Sequence, residues 1–227
     1  MRAAEVIDEL RGMGDAGAVA GMARYGIATG RAFGVSVPDL RARAKRLGRD
    51  HNLALDLWES GFHEARILAS MVDLPEKVTE RQMEKWVSEF DSWDVCDGCC
   101  GNLFDRTPYA YAKASEWSRR KEEFVKRAGF VLMAELAVHD KSAPDSAFTG
   151  FFDDIVRGST DDRNFVKKAV NWALRQIGKR NRRLNTEALG VAGKIYELGT
   201  PGSRWVASDA VRELKSEAVR RRLRSSS

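Results

Sequence analysis

The sequence predicts an all-α protein, and three observations carry that expectation. Apolar residues recur at three- and four-residue spacing along nearly the whole 227-residue chain. No alternating β-branched runs joined by Asn-Gly or Asp-Gly turns occur. Proline and glycine punctuate the periodic stretches at positions that suit helix starts and stops.

Element by element, helices are expected over roughly Ala3–Gly12, Ala16–Tyr25 and Val37–Leu47. The third opens on Ser36-Val37-Pro38-Asp39, where proline's missing N–H does no harm, and Gly48 stops it. Asn52–Glu59 and Glu64–Val72 follow, parted by Gly61. Glu80–Phe90, Val95–Phe104 and Tyr109–Ser118 come next, the last behind Thr107-Pro108. Lys121–Val138 is the most apolar stretch; Pro144–Val156 opens on Ser142-Ala143-Pro144-Asp145 and is closed by Gly158. Asp161–Lys179, Thr186–Glu197 with Gly199 behind it, Ser203–Leu214 and Glu217–Arg224 complete the set. Short helices joined by short loops read as antiparallel pairs, spaced near the roughly 40-residue period of HEAT-type arrays. An α-solenoid follows, with a globular helical bundle as the alternative. No linker rich in Pro, Gly or Ser divides the chain, so one domain is expected over residues 1–224, with a disordered tail at 225–227.

With 43% hydrophobic and 31% charged residues the chain has the makings of a packed core and no disordered or collagen-like bias. Its three cysteines, Cys96, Cys99 and Cys100, fall within five residues and cannot form a dispersed disulfide framework, so a reducing cytoplasm is expected. Glu5, Asp8 and Glu9 interrupt the N-terminal segment, and no run of about 18 apolar residues occurs. Neither an export signal nor a membrane span is expected. Net charge is +5 but unevenly placed: from Asp161 onward sixteen Lys+Arg face seven Asp+Glu. A polyanion on the C-terminal side would account for that bias, as would a solvated basic surface.

The stretch DDRNFVKKAVNWALRQIGK, from Asp161 to Lys179, is the most informative. Val166, Val170, Ala173, Leu174 and Ile177 form one apolar stripe, the buried face. Lys168, Trp172, Arg175 and Lys179 recur at i, i+4, i+7 and i+11 and share the opposite face. Such an indole either packs on a neighbouring helix or, interleaved with cations, meets nucleic acid, cations to phosphates and ring to base or sugar. In DSWDVCDGCC, Trp93 and Asp97 are four apart and project together, while Ser92 or Asp94 can cap the helix start. Asp97 is either a solvated or salt-bridged surface acid or, beside an aromatic, a carboxylate that stabilises positive charge on a sugar.

Cysteine trios invite a zinc reading, but tetrahedral zinc needs a second ligand pair that the sequence does not supply, and buried thiols packing as small apolar groups fit better. His51, His63 and His139 are scattered, without His-Glu-x-x-His spacing. Arg127 sits in FVKRAGFVLMAELAV with Phe124, Phe130 and Val131 around it, and is either ion-paired, Glu123 being within reach, or held to meet a phosphate. Glycine-rich phosphate loops, serine nucleophile elbows and dinucleotide fingerprints are all missing, which excludes the common nucleotide-dependent classes.

These residues resemble the HEAT-like-repeat DNA alkylation repair glycosylases, the family that removes 3-methyladenine and 7-methylguanine from DNA. Three blocks carry the likeness: Phe33-Gly34-Val35 followed by Pro38-Asp39-Leu40-Arg41, then Ser92-Trp93-Asp94-Val95-Cys96-Asp97, then Phe165 to Arg175. It extends from about Phe33 to about Glu213. The resemblance implies a solenoid of HEAT-like antiparallel helix pairs with a concave basic surface. It implies that Trp93 and Trp172 contact the deoxyribose beside the lesion, that Asp97 is the catalytic carboxylate, that Arg127 grips a backbone phosphate and that Arg175 is a further DNA contact. Lys168 and Lys179 join the DNA-binding set by sharing the Trp172 face. An alkylated purine is already cationic and leaves without protonation, so a carboxylate and two indole faces suffice, with no metal and no cofactor. The implied partner is double-stranded DNA carrying alkylated purines, bound by a monomer in the cytoplasm at the nucleoid. Two alternatives stay open: a non-catalytic HEAT-like module for damaged or branched DNA, and a protein-interaction scaffold.

Overall fold

A computed structural model describes residues 2–225, all of it helix, turn and loop; among the described residues there is no strand. Two compact units result, Met1–Thr107 and Pro108–Ser227. Among the described residues no helix is long and apolar enough to cross a membrane.

The first unit holds α1 (Ala3–Gly12), α2 (Ala16–Ala23), α3 (Val37–Leu47), α4 (His51–Glu59), α5 (His63–Val72), α6 (Glu80–Ser88) and α7 (Trp93–Asn102), with 3-10 turns at Pro75–Lys77 and Phe104–Arg106. Their starts are chemically capped: Ser36 Oγ accepts from Asp39 N–H, Asp50 from Leu53 and Thr79 from Gln82. Helices α4 and α5 form an antiparallel pair, against which α3, α7 and α1 pack. In the core Trp58 and Trp86 stack with centroids 4.1 Å apart. The Trp58 indole donates to Glu89 Oε2 at 2.8 Å, and Arg66 bonds the same oxygen at 3.0 Å from above the ring. A buried polar indole edge is thereby satisfied.

The Phe33-Gly34-Val35 block has a structural account. The buried Glu64 carboxylate accepts the backbone N–H groups of Phe33 (2.9 Å), Gly34 (2.6 Å) and Val35 (3.3 Å). Three consecutive amides converging on one anion require a sharply turned backbone. Gly34 supplies it at φ +85°, and a Cβ there would stand 2.2 Å from the Asp15 carbonyl.

The second unit holds α8 (Ala110–Ser118), α9 (Glu123–His139), α10 (Asp145–Thr149), α11 (Phe152–Gly158), α12 (Asn164–Gly178), α13 (Arg182–Glu197), α14 (Pro201–Leu214) and α15 (Glu217–Ser225). The apolar α9 packs against both α8 and α12, α12 packs against α13 and α14, and α13 pairs with α14. Helices α8 and α9 approach closely because residue 129 is glycine: a Cβ there would lie 2.3 Å from the Ser118 nitrogen. Gly158, expected only to stop a helix, also makes room for the Phe130 ring, which a Cβ would meet at 2.2 Å.

Most helix ends lie within one to three residues of the sequence expectation, α7 for example running from Trp93 to Asn102 where Val95–Phe104 is expected. Three differences have a structural account. The single helix expected over Pro144–Val156 is two, broken around Gly150, where Phe148 and Phe151 turn their rings to one another. Helix α12 starts at Asn164 and not at Asp161, because the Asp161 carboxylate accepts from the Arg163 backbone and pairs with its guanidinium. Helix α13 starts a turn before Thr186, with Asn181 Oδ1 accepting from Leu184 N–H. The last helix carries its backbone through Ser225, one residue past the expected end; Ser226 and Ser227, the rest of the expected tail, lie outside the described residues.

Candidate functional site

Helix α7 begins at Trp93, so the four-residue spacing to Asp97 sets both on one face. Val95, Cys96, Cys99 and Cys100 are buried, and Trp93 and Asp97 are both half-buried. Burial pushes the Cys99 and Cys100 thiols well up, with Cys96 adding to the shift, so these sulfurs behave as apolar packing groups. Among the described residues, no group of three or more His, Cys, Asp or Glu is placed to hold a metal ion.

The start of α7 is fastened at three points. Ser92 stands at the cap position, yet its hydroxyl donates to Asp94 Oδ1 at 2.9 Å and makes no cap bond of its own. Asp94 also accepts the Val95 N–H at 3.0 Å, and its other oxygen lies 2.9 Å from His63 Nε2 on α5. Burial opposes both charges of that pair, but their hydrogen bond and mutual attraction outweigh it. His63 is therefore raised above the ordinary imidazole value and Asp94 held below the ordinary carboxylate value. The Trp93 indole N–H donates to the Tyr25 carbonyl at 3.1 Å, tying the ring edge to the loop after α2. Tyr25 itself is 72% exposed, a solvent-facing aromatic next to Trp93 along this unit's surface.

In the second unit the expected apolar stripe of α12 is buried throughout: Val166, Val170, Ala173, Leu174 and Ile177. Lys168 is exposed, Trp172 half-buried, and Arg175 and Lys179 half-buried on the same side. Two of these cations converge on Glu213 of α14: Arg175 Nη1 bonds one carboxylate oxygen and Lys179 Nζ lies 2.6 Å from the other. Burial opposes the Glu213 charge, but the bonds from Lys179 and Arg175 outweigh it and hold the carboxyl below its ordinary value. Lys168 has no carboxylate partner among the described residues. Arg127 is only 6% exposed; its Nη1 donates to the Phe165 carbonyl at 2.6 Å, tying α9 to the first turn of α12. Its neighbour Lys126 pairs with Asp161 at 3.1 Å.

Trp93 and Asp97 thus belong to the first unit, and Arg127, Lys168, Trp172, Arg175 and Lys179 to the second. Sequence reasoning missed His63, Glu64 and Glu213, whose partners lie about thirty or more residues away in the chain. Only the Phe-Gly-Val block hinted at Glu64, through the glycine that its turn demands.

Over residues 6–214 the sequence matches the family described as DNA alkylation repair enzyme. Uncharacterized proteins of Listeria innocua and Listeria monocytogenes are 26% and 25% identical over 117 residues, which is 50% of this chain and 51% of each relative. The chain spans about half the length of these curated relatives. One solved structure belongs to a family described as related to the HEAT-like repeat DNA glycosylases, with affinity for branched DNA structures. It matches with a TM-score of 0.75 at 19% identity, covering 93% of this chain and 95% of its own. At that identity the likeness is one of fold, and the HEAT-like helical class expected from the sequence holds.

Proposed function

Because the chain belongs to the DNA alkylation repair enzyme family, we propose that it is a DNA glycosylase that removes cationic alkylated purines by hydrolysing their N-glycosidic bond. The observation that carries this reading is the Trp93/Asp97 pair on the half-buried face of α7, with the helix start fastened by His63–Asp94 and Trp93–Tyr25. A carboxylate held on a rigid element beside an indole face is the arrangement that oxocarbenium chemistry needs.

A purine methylated at nitrogen 7 or 3 carries positive charge. The C1′–N9 bond breaks with its electron pair passing to the ring, so the base leaves neutral and the charge moves to the sugar. Asp97 stabilises that charge and takes a proton from the water that adds to C1′, giving free base and an abasic site. The Trp93 indole offers its negative face to the deoxyribose, and Trp172 is expected to meet DNA from the second unit. Lys168 meets phosphate directly, whereas Arg175 and Lys179 do so by exchanging Glu213 for DNA. Arg127 acts from beneath the surface, by holding the start of α12.

Release of free base from methylated duplex, with wild type and Asp97→Asn compared under chelator, tests the reading. Wild type is expected to release 7-methylguanine or 3-methyladenine, with the variant about 100-fold slower or worse at nearly unchanged DNA affinity. The second reading, a non-catalytic DNA-binding module, draws on the fold neighbour's described affinity for branched DNA. Salt-dependent DNA binding without base release would favour it.

A further inference from the structure

Away from Trp172, the second unit carries a polar cavity of about 290 Å³ at the junction of α10, α13 and α15. Lys141, Arg180 and Arg222 line it, with Asn181 and one carboxylate, Asp145. Arg180 is fixed: its Nη1 donates to the Ala137 and Asp140 carbonyls at 2.8 Å, its Nη2 to Ala143 at 3.2 Å, and its guanidinium lies 3.9 Å over the Phe148 ring. Asp145 accepts from Asn181 Nδ2 at 2.7 Å, and the other end of that amide caps α13. Lys141 pairs with no carboxylate among the described residues.

Three cations around one polar hollow repel one another, and Lys141 among them has no carboxylate partner among the described residues. Burial first, then the positive charges of Arg180 and Arg222, pull the Lys141 ammonium below its ordinary value. A bound anion removes that penalty. A second cavity of about 420 Å³ is lined by Arg182, Arg220 and Arg224. Helix α15 therefore has a cationic hollow on each flank, while its Val219 and Leu223 are buried. A free phosphate needs one such hollow; a polynucleotide strand, with phosphates at regular intervals, uses a row of them.

We propose that the Lys141/Arg180/Arg222 cavity is a phosphate site, that its ligand is a phosphodiester of a DNA strand, and that the Arg182/Arg220/Arg224 hollow continues the track. This rests on reading the chain as a DNA binder, and it adds a contact outside the Trp93, Asp97 and Trp172 set. The track takes backbone and not bases, since it offers charge without an aromatic platform.

The test compares wild type with the double variant Lys141→Gln/Arg222→Gln, both residues being exposed. Arg221→Gln, at an arginine ion-paired with Glu217 on the same helix, is the control for loss of charge outside the cavity. Duplex binding is followed by fluorescence anisotropy across a salt series, and inorganic phosphate is titrated separately while the Ala143 and Asn181 amide resonances are observed. The double variant is expected to bind duplex about tenfold more weakly, with the log–log salt slope shallower by about 1–2, while Arg221→Gln moves neither by as much. Base release at saturating DNA stays at the wild-type rate. Unchanged affinity and slope in the double variant overturn the proposal. So do saturable shifts with inorganic phosphate combined with unchanged DNA binding, which would make this a site for free phosphate. Lack of base release by wild type would defeat the glycosylase reading alone, because the binding comparison is read without it.

Discussion

His63 Nε2 on α5 lies 2.9 Å from Asp94 Oδ2 on α7, a contact between the first turns of two helices that sets where Trp93 and Asp97 stand. Asp94 directly follows Trp93, and Asp97 is one helical turn on. The pair therefore acts on the candidate chemistry without touching it. Its partners are 31 residues apart in sequence, and each is mostly withdrawn from water.

The linkage has a definite sign. His63, raised above the ordinary imidazole value of 6.5, contributes stability that is fully present below that pH and is lost as pH rises through the folded value. Asp94, lowered from 3.8, contributes stability present above that pH and lost as pH falls through its depressed value. Denaturation midpoints measured from acid to mildly alkaline pH should therefore hold a plateau between about 4 and about 6.5. In His63→Gln the decline on the alkaline side should flatten, with a loss of about 1.5–3 kcal/mol within the plateau. The same alkaline slope in the variant would assign that linkage to another group.

Glu64→Gln tests the amide cradle. Replacing the carboxylate removes the charge that three backbone N–H groups share, which costs about 1.5–3 kcal/mol. Gly34→Ala should be at least as harmful, since the left-handed backbone alone costs about 1–2 kcal/mol and the Asp15 carbonyl blocks the new methyl. Equilibrium unfolding by urea reads both. A Gly34→Ala protein as stable as wild type would mean that this turn readily changes conformation.

Glu213→Gln separates two roles of Arg175 and Lys179. If the cations serve DNA, freeing them from the carboxylate should raise duplex affinity several-fold and steepen the salt slope by about 1–2, while weakening the hold of α14 on α12. Anisotropy and thermal denaturation on the same preparation give both numbers. Lower stability with no gain in affinity would leave the two cations as structural ties between helices.

How much of this was legible in the sequence follows from the range of each interaction. The apolar stripe of α12 and the Trp93–Asp97 spacing are local, and both stand as read. So is the proline-led start of α3. The break at Gly150 was hidden because Phe148, Phe151, Phe152 and Ile155 keep a helical rhythm across it, and ring packing decided the outcome. The early start of α13 was hidden because Arg182, Arg183 and Asn185 leave Leu184 as the single apolar residue of its first turn. Electrostatic partners were the least visible: nothing near Arg127 in the chain announces the Phe165 carbonyl, and nothing near Lys179 announces Glu213. Periodicity reports which face is buried, whereas the identity of a partner depends on how helices dock.

The sulfurs behind Asp97 bear on survival under the conditions that call for alkylation repair. Electrophiles that methylate DNA attack thiolates more readily than amide or hydroxyl groups, because the anion is the nucleophile. Cys99 and Cys100, fully buried and held protonated by that burial, present neither an anion nor an approach path. Cys99 and Cys100 are therefore poor methyl acceptors, and helix α7 can carry them without becoming a target for such electrophiles.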